Sequence, residues 1–139
     1  MIDIENNTDF TPPKEEFLKI MDYLNVKNVE LLIVDEKKMH EFNLKFLNKD
    51  RPTDVLSFPL DPFPHSILGT IIINIDMIKS ASKLYGHSLN EEALLLFSHG
   101  LLHLMGYDHE TDCGQMREKE REIVEFFNLP ASLIIREGG

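Results

Sequence analysis

Residues 98–110 read SHGLLHLMGYDHE and hold His99, His103 and His109, half of the six histidines in the chain. His99 and His103 stand at i and i+4, so on a helix their side chains leave the same face with Cβ atoms about 5–6 Å apart. Two imidazoles so placed can share one ion. Gly106 can close that helix in the left-handed conformation, which turns the chain back and brings His109 toward the pair. Three neutral imidazoles at about 2.0–2.1 Å fill three places of a tetrahedral zinc and leave the fourth open, which is the catalytic pattern; structural sites close the shell with four protein ligands. A lone histidine in a core helix is more often a hydrogen-bonded core residue than a ligand, and the third histidine beyond the glycine moves the balance to metal. Apolar surroundings also disfavour the imidazolium form. All-imidazole donors put zinc, one per chain, ahead of other metals.

Neighbouring residues have two readings each. Asp108 can orient a ligand imidazole through its second nitrogen, or serve as a turn residue. Cys113 is a rival ligand, or an incidental thiol near a helix start. His40, His65 and His87 lie in polar or loop contexts and are expected at the surface. The spacing of the three histidines and the glycine matches the HExxHxxGxxH signature of metzincin proteases, yet Gly100 stands where the catalytic Glu belongs. Peptide hydrolysis by that route lacks its base. A metal that lowers the pKa of its water to about 7 still permits attack on an ester or phosphodiester.

The elements around this run must hold it in place. Ser88 and Glu91 make a capping box, and EEALLLFSHGLLHLM after it is apolar on nearly every side, as a helix in the middle of a domain is. MIDIEN alternates like a half-buried strand. Thr11 before Pro12 and Pro13 reads as the cap of a helix whose apolar face is Phe17, Leu18, Met21 and Leu24. VELLIV (29–34) is a second strand. Asp35 caps a helix with Met39, Phe42 and Phe46 at helical spacing, broken by Asp50, Arg51 and Pro52. TDVLSFPL (53–60) is a third strand, ended by DPFPHS, and ILGTIIINI (67–75) a fourth. Asp76 is expected to cap a short helix through Tyr85, with Gly86 beyond it.

Composition narrows the function classes. The 139 residues are 42% hydrophobic, with seven Gly and seven Pro, enough for one domain with a single core. With one cysteine there is no internal disulfide and no Cys-based zinc knuckle. A reducing, cytoplasmic setting is expected. MIDIENNTDF lacks the basic start of a secretory signal and no stretch approaches the roughly 20 apolar residues of a membrane span, so a soluble, unprocessed chain is expected. A net charge of -10 argues against a non-specific polyanion binder held by bulk charge. Any nucleic-acid role needs a local site, and Lys37, Lys38, Lys45, Lys49 and Arg51, set against Glu36, Glu41 and Asp50, supply a basic side. The plainer reading of those lysines is a solvated surface.

HGLLHLMGYDHE, together with DRPTDVLSFPL (50–60), resembles the two signatures of the bacterial YbeY endoribonuclease family. The first runs HGxLHLxGYDH in that family and is matched at every fixed position. The resemblance spans essentially the whole chain, residues 1–139. It implies a single zincin-like α+β domain: a small mixed, mostly parallel four-stranded sheet packed with helices, the histidine helix at its centre. It implies a zinc held by His99, His103 and His109 as the catalytic group, the general base being unassigned. Within the basic side, Lys45, Lys49 and Arg51 are the expected RNA contacts on grounds of charge alone. The resemblance further implies a cytoplasmic, single-strand-specific endoribonuclease acting on RNA and not DNA, in maturation of ribosomal RNA (notably the small-subunit RNA's 3' end) and in ribosome quality control. The small subunit and its assembly factors would be partners, with no membrane involved. Leu47 stands where members usually carry arginine, and Thr70 where many carry an acid. Two alternatives are a ribosome-associated RNA-binding factor with a mainly structural zinc, and a metal-dependent hydrolase of another substrate, including a peptide.

Overall fold

The structure, a computed structural model, describes residues 1–60 and 67–130. Four strands, β1 (Ile2–Asn6), β2 (Val29–Val34), β3 (Val55–Pro59) and β4 (Gly69–Asn74), form one sheet in the order β1-β2-β4-β3. β1, β2 and β4 run parallel and β3 pairs antiparallel with β4, leaving β3 at the edge. Around it lie α1 (Lys14–Tyr23), α2 (Glu36–Leu47), α3 (Ile75–Tyr85), α4 (Leu89–Leu104) and α5 (Gln115–Phe126). This is the mixed, mostly parallel α+β sheet that the resemblance implied.

The apolar runs of β2 and β4 are explained by cover on both faces. Leu31, Ile33, Ile71 and Ile73 join the main core with α1, α4 and α5, while Val34 and Ile72 face a smaller cluster with Met39 of α2 and Leu56 of β3. α4 is the centre of the main core. Its Leu95, Leu96, Phe97, Leu101 and Leu102 are each at most 1% exposed, and burying each such side chain contributes about 1.5–3 kcal/mol. Phe97 meets Phe17 of α1 with ring centroids 4.4 Å apart.

Gly100 sets how close α4 comes to the sheet. A Cβ there would lie 3.0 Å from Ile71 Cγ2 and 3.1 Å from Ser57 Oγ, and Ser57 Oγ donates to the Gly100 carbonyl at 3.3 Å. The glycine at the metzincin Glu position is therefore a packing requirement; a longer side chain would have to enter the sheet.

Several local expectations are met and several are corrected. The Ser88–Glu91 capping box is formed, Asp35 caps α2 by accepting from Lys38 N at 2.8 Å, and Gly86 ends α3 at φ 71. α1, however, starts at Lys14 with Pro13 in the cap position and no side-chain cap, so Thr11 is not the cap. Pro12, itself followed by a proline, is held extended and delays the helix. α3 is capped by Asn74, whose side chain accepts from Asp76 N and Met77 N, while the Asp76 carboxylate accepts from Glu36 N at the start of α2. α2 stops at Leu47 because Asn48 turns left-handed at φ 56, ahead of Asp50, Arg51 and Pro52. His40 is half exposed beside Asp50, but the His87 side chain is 7% exposed with Nε2 2.7 Å from Glu92 Oε1, and so is not a surface group. His65 and the DPFPHS turn lie outside the described residues. Among the described residues, no helix is long and apolar enough to cross a membrane.

Candidate metal centre

α4 carries His99 and His103 on one face near its C-terminal end, where His99 is 6% exposed and His103 half-buried. The helix then closes as its sequence implied. Gly106 takes φ 99, and the N–H groups of Gly106 and Tyr107 return to the carbonyls of His103 and Leu102 at 3.0 Å each. The chain beyond turns at Asp108, whose carbonyl accepts from Thr111 N and Asp112 N. That turn brings His109 against the pair: ring centroids are 4.8 Å apart for His99–His103, 5.6 Å for His99–His109 and 5.8 Å for His103–His109. One nitrogen from each of the three lies within 4.8 Å of the other two.

The second nitrogens decide which atoms face the centre. His99 Nδ1 is 2.9 Å from the Glu120 carboxylate and His103 Nδ1 is 3.1 Å from the Tyr107 carbonyl. Both partners accept, so each Nδ1 carries the proton and each Nε2 offers a lone pair. Those two Nε2 atoms approach to 3.2 Å, an arrangement that repels unless a cation lies between them. His109 Nδ1 is buried with no hydrogen-bond partner, and an unsatisfied group of that kind costs about 1–3 kcal/mol. A carboxylate and a carbonyl behind two imidazoles are the usual orienting groups of metal-bound histidines. The three residues fit a divalent metal on each of these counts.

Glu120 comes from α5, of which the sequence reading marked only a helix start near Cys113. Met116, Glu120 and Ile123 form its buried stripe, and Glu120 is 1% exposed. The signal was present as Met and Ile at i and i+7, but an acid between them and the charge of QMREKEREIVEF hid the apolar period. Asp112 ties the histidine turn to this helix: its carboxylate accepts from Gly114 N at 2.8 Å and Met116 N at 3.0 Å, which holds its pKa below the usual carboxylate value. Asp108 lies on the same turn, and the hydrogen bond its carboxylate makes is to Glu110 N at 3.1 Å, the turn role. Cys113 is exposed, and the residues that converge as possible ligands are the three histidines.

His99 and His103 open on a cleft of about 840 Å³. Its other walls are the end of α2 and the loop after it, with Leu47, Lys49 and Arg51, the start of β3 with Asp54, and the turn at Tyr107 and Asp108. Buried Asn43 donates to the Arg51 carbonyl at 2.7 Å and so fixes that loop to α2. Lys49 and Arg51 are thus brought to the cleft, whereas Lys45 stands outside its lining with its ammonium 5.4 Å over the Phe46 ring. Asp54 was not singled out in the sequence. Burial pushes its carboxyl pKa up, an effect partly offset by the nearby His99. The same desolvation, reinforced by His99, holds His103 below its ordinary value.

A family model described as Endoribonuclease YbeY matches residues 4–128. Proteins named Endoribonuclease YbeY are similar along nearly the whole length. The one from Nautilia profundicola is 50% identical over 136 residues, covering 98% of both chains. One from Campylobacter jejuni is 52% identical over 128 residues, covering 91% of this chain and 96% of the relative. Among solved structures, the solution structure of TM1509 from Thermotoga maritima is similar, with a TM-score of 0.61 and 29% identity over 90% of this chain and 87% of that one.

Proposed function

The chain belongs to the endoribonuclease YbeY family, and on that premise we propose that residues 1–139 form a single metal-dependent endoribonuclease domain cutting single-stranded RNA at the cleft beside His99 and His103. The observation that carries this is the convergence of three imidazoles, one with a buried orphaned nitrogen, the other two lining an open cleft. A structural ion would be expected in a closed shell of four protein ligands. We take zinc as the metal, held by His99, His103 and His109.

A zinc held by these three histidines would supply positive charge for a phosphoryl oxygen and lower the pKa of a bound water. The protein's own groups do the rest. Glu120 and the Tyr107 carbonyl fix the tautomers and tilt of His99 and His103. Lys49 and Arg51 offer cations to the phosphates flanking the cut, in a chain whose net charge of -10 repels RNA elsewhere. Asp54 sits in the same cleft with a carboxyl more basic than usual, and we assign it the proton from the attacking water. Arg51 takes the charge role that the family gives to an arginine at the position of Leu47. The resemblance supplies the finer setting: cytoplasmic maturation of ribosomal RNA, including the small-subunit 3' end, and ribosome quality control alongside the small subunit and its assembly factors.

The test is incubation of purified protein with single-stranded RNA, with and without a chelator, followed by zinc readdition. Internal cleavage that chelation abolishes and zinc restores is expected. Undiminished cleavage by fully metal-stripped protein would end the proposal, and cleavage of casein in place of RNA would turn it to a peptidase.

A further inference from the structure

The end of α2 displays apolar groups that a folded chain ordinarily covers. Phe46 is 53% exposed and Leu47 44% exposed. The Phe46 ring is nevertheless held firmly: Phe42 lies nearly parallel to it with centroids 5.8 Å apart and 20° between planes, and Phe58 of β3 meets it edge-on at 5.6 Å. Both supports are packed on the smaller core cluster of Val34, Met39, Leu56 and Ile72. An aromatic group so supported and still half exposed can receive another flat ring at little cost in side-chain entropy, the flexible Lys45 chain over it giving way.

We propose that Phe46 and Leu47 form a stacking platform for bases of single-stranded RNA next to the cut, an inference that rests on the endoribonuclease reading of the cleft. The surface is continuous with that cleft, since Leu47 also lines it together with Lys49 and Arg51. Charge completes the match. The Lys45 ammonium lies over the Phe46 ring, 5.4 Å from its centre, and Lys49 and Arg51 line the adjoining cleft beside Leu47. Alternating cation and aromatic surface suits a strand whose phosphates and bases alternate. A protein partner fits less well, because lysine is depleted from protein interfaces. Bases in a duplex are stacked on each other and withheld from such a platform, so the platform also selects single strands.

The sequence contains no tryptophan and three tyrosines, so Phe46→Trp gives a single-tryptophan reporter that can be excited apart from the tyrosines. The variant is titrated with a short single-stranded RNA and with an abasic ribose-phosphate oligomer of equal length and charge. Quenching by the RNA and not by the abasic oligomer is expected. Phe46→Ala should raise KM for cleavage about tenfold with kcat nearly unchanged, and Phe46→Tyr should restore it. An unchanged thermal melt of Phe46→Ala excludes a folding effect, as the exposure of the side chain leads one to expect. Equal quenching by both oligomers, wild-type KM in Phe46→Ala, or emission that responds only to protein concentration, as a dimer would cause, overturns the platform. The two readings fail separately. Base-dependent quenching without cleavage refutes the nuclease and keeps the platform, whereas cleavage indifferent to Phe46→Ala refutes the platform and keeps the nuclease.

Discussion

Replacing Glu120 by Gln removes one charge from behind the metal centre and leaves the shape of the core nearly intact. The carboxylate is 1% exposed and lies 2.9 Å from His99 Nδ1. Solvent therefore screens the contact little, and its loss should be felt in full by the imidazole. Orienting partners of this kind are worth about 10–100-fold in metal affinity, or roughly 1.4–2.7 kcal/mol. The burial of Glu120 places the expectation in the upper part of that range. Competition against a chromophoric chelator of known zinc affinity gives the dissociation constant of the wild type and of Glu120→Gln. A melt of the metal-free forms, run beside it, reports any damage to packing. A tenfold or greater loss of affinity with similar metal-free melting is the expected outcome. A dissociation constant within about twofold of wild type, given that orienting partners are worth ten times or more, would refute the idea that α5 serves the metal centre.

Three further outcomes follow from the same geometry. Asp54→Asn should lower the rate of RNA cleavage by about 10²–10⁴, the usual worth of a general base, while zinc content stays at the wild-type level; a wild-type rate removes Asp54 from the mechanism. Gly100→Ala places a methyl 3.0 Å from Ile71 Cγ2, and overpacking of this sort costs about 1–3 kcal/mol, or roughly 3–10 °C in Tm; an unchanged calorimetric melt would show that α4 does not rest on the sheet so tightly. Burial and the neighbouring His99 hold His103 below its ordinary pKa of 6.5, so the unfolded chain takes up that proton first as pH falls. The contribution of His103 to metal-free stability is then fully present above about 6.5 and lost progressively below it. Urea unfolding at a neutral and a mildly acidic pH checks the sign, which a gain of stability on acidification would contradict.

What the sequence made legible follows physical periodicity and local chemistry. Strands rich in branched residues, the Ser88–Glu91 box and the histidines four apart on a helix are signals carried within a few residues, and each appears where expected. Glu120 was out of reach because its role depends on α5 folding back across α4, a contact between positions 21 residues apart. The Met116–Ile123 stripe was visible only to someone willing to accept a buried acid on it. Asp54 reads locally as a polar residue at a strand start, and its significance comes from the cleft it shares with His99. His87 shows the opposite error: a loop context suggested solvent, yet Glu92 on the first turns of α4 draws it inside. Thr11 and Asp76 were reasonable caps by type, and in each case a residue two positions away, Pro13 or Asn74, occupied the position.

The most direct measurement is X-ray absorption at the zinc edge on the purified protein. Three imidazole nitrogens at about 2.0–2.1 Å with one further light oxygen are expected, the signature of three histidines and an open fourth position. A sulfur at about 2.3 Å, which only Cys113 or a methionine could supply, a fourth protein ligand closing the shell, or protein without bound metal would contradict it.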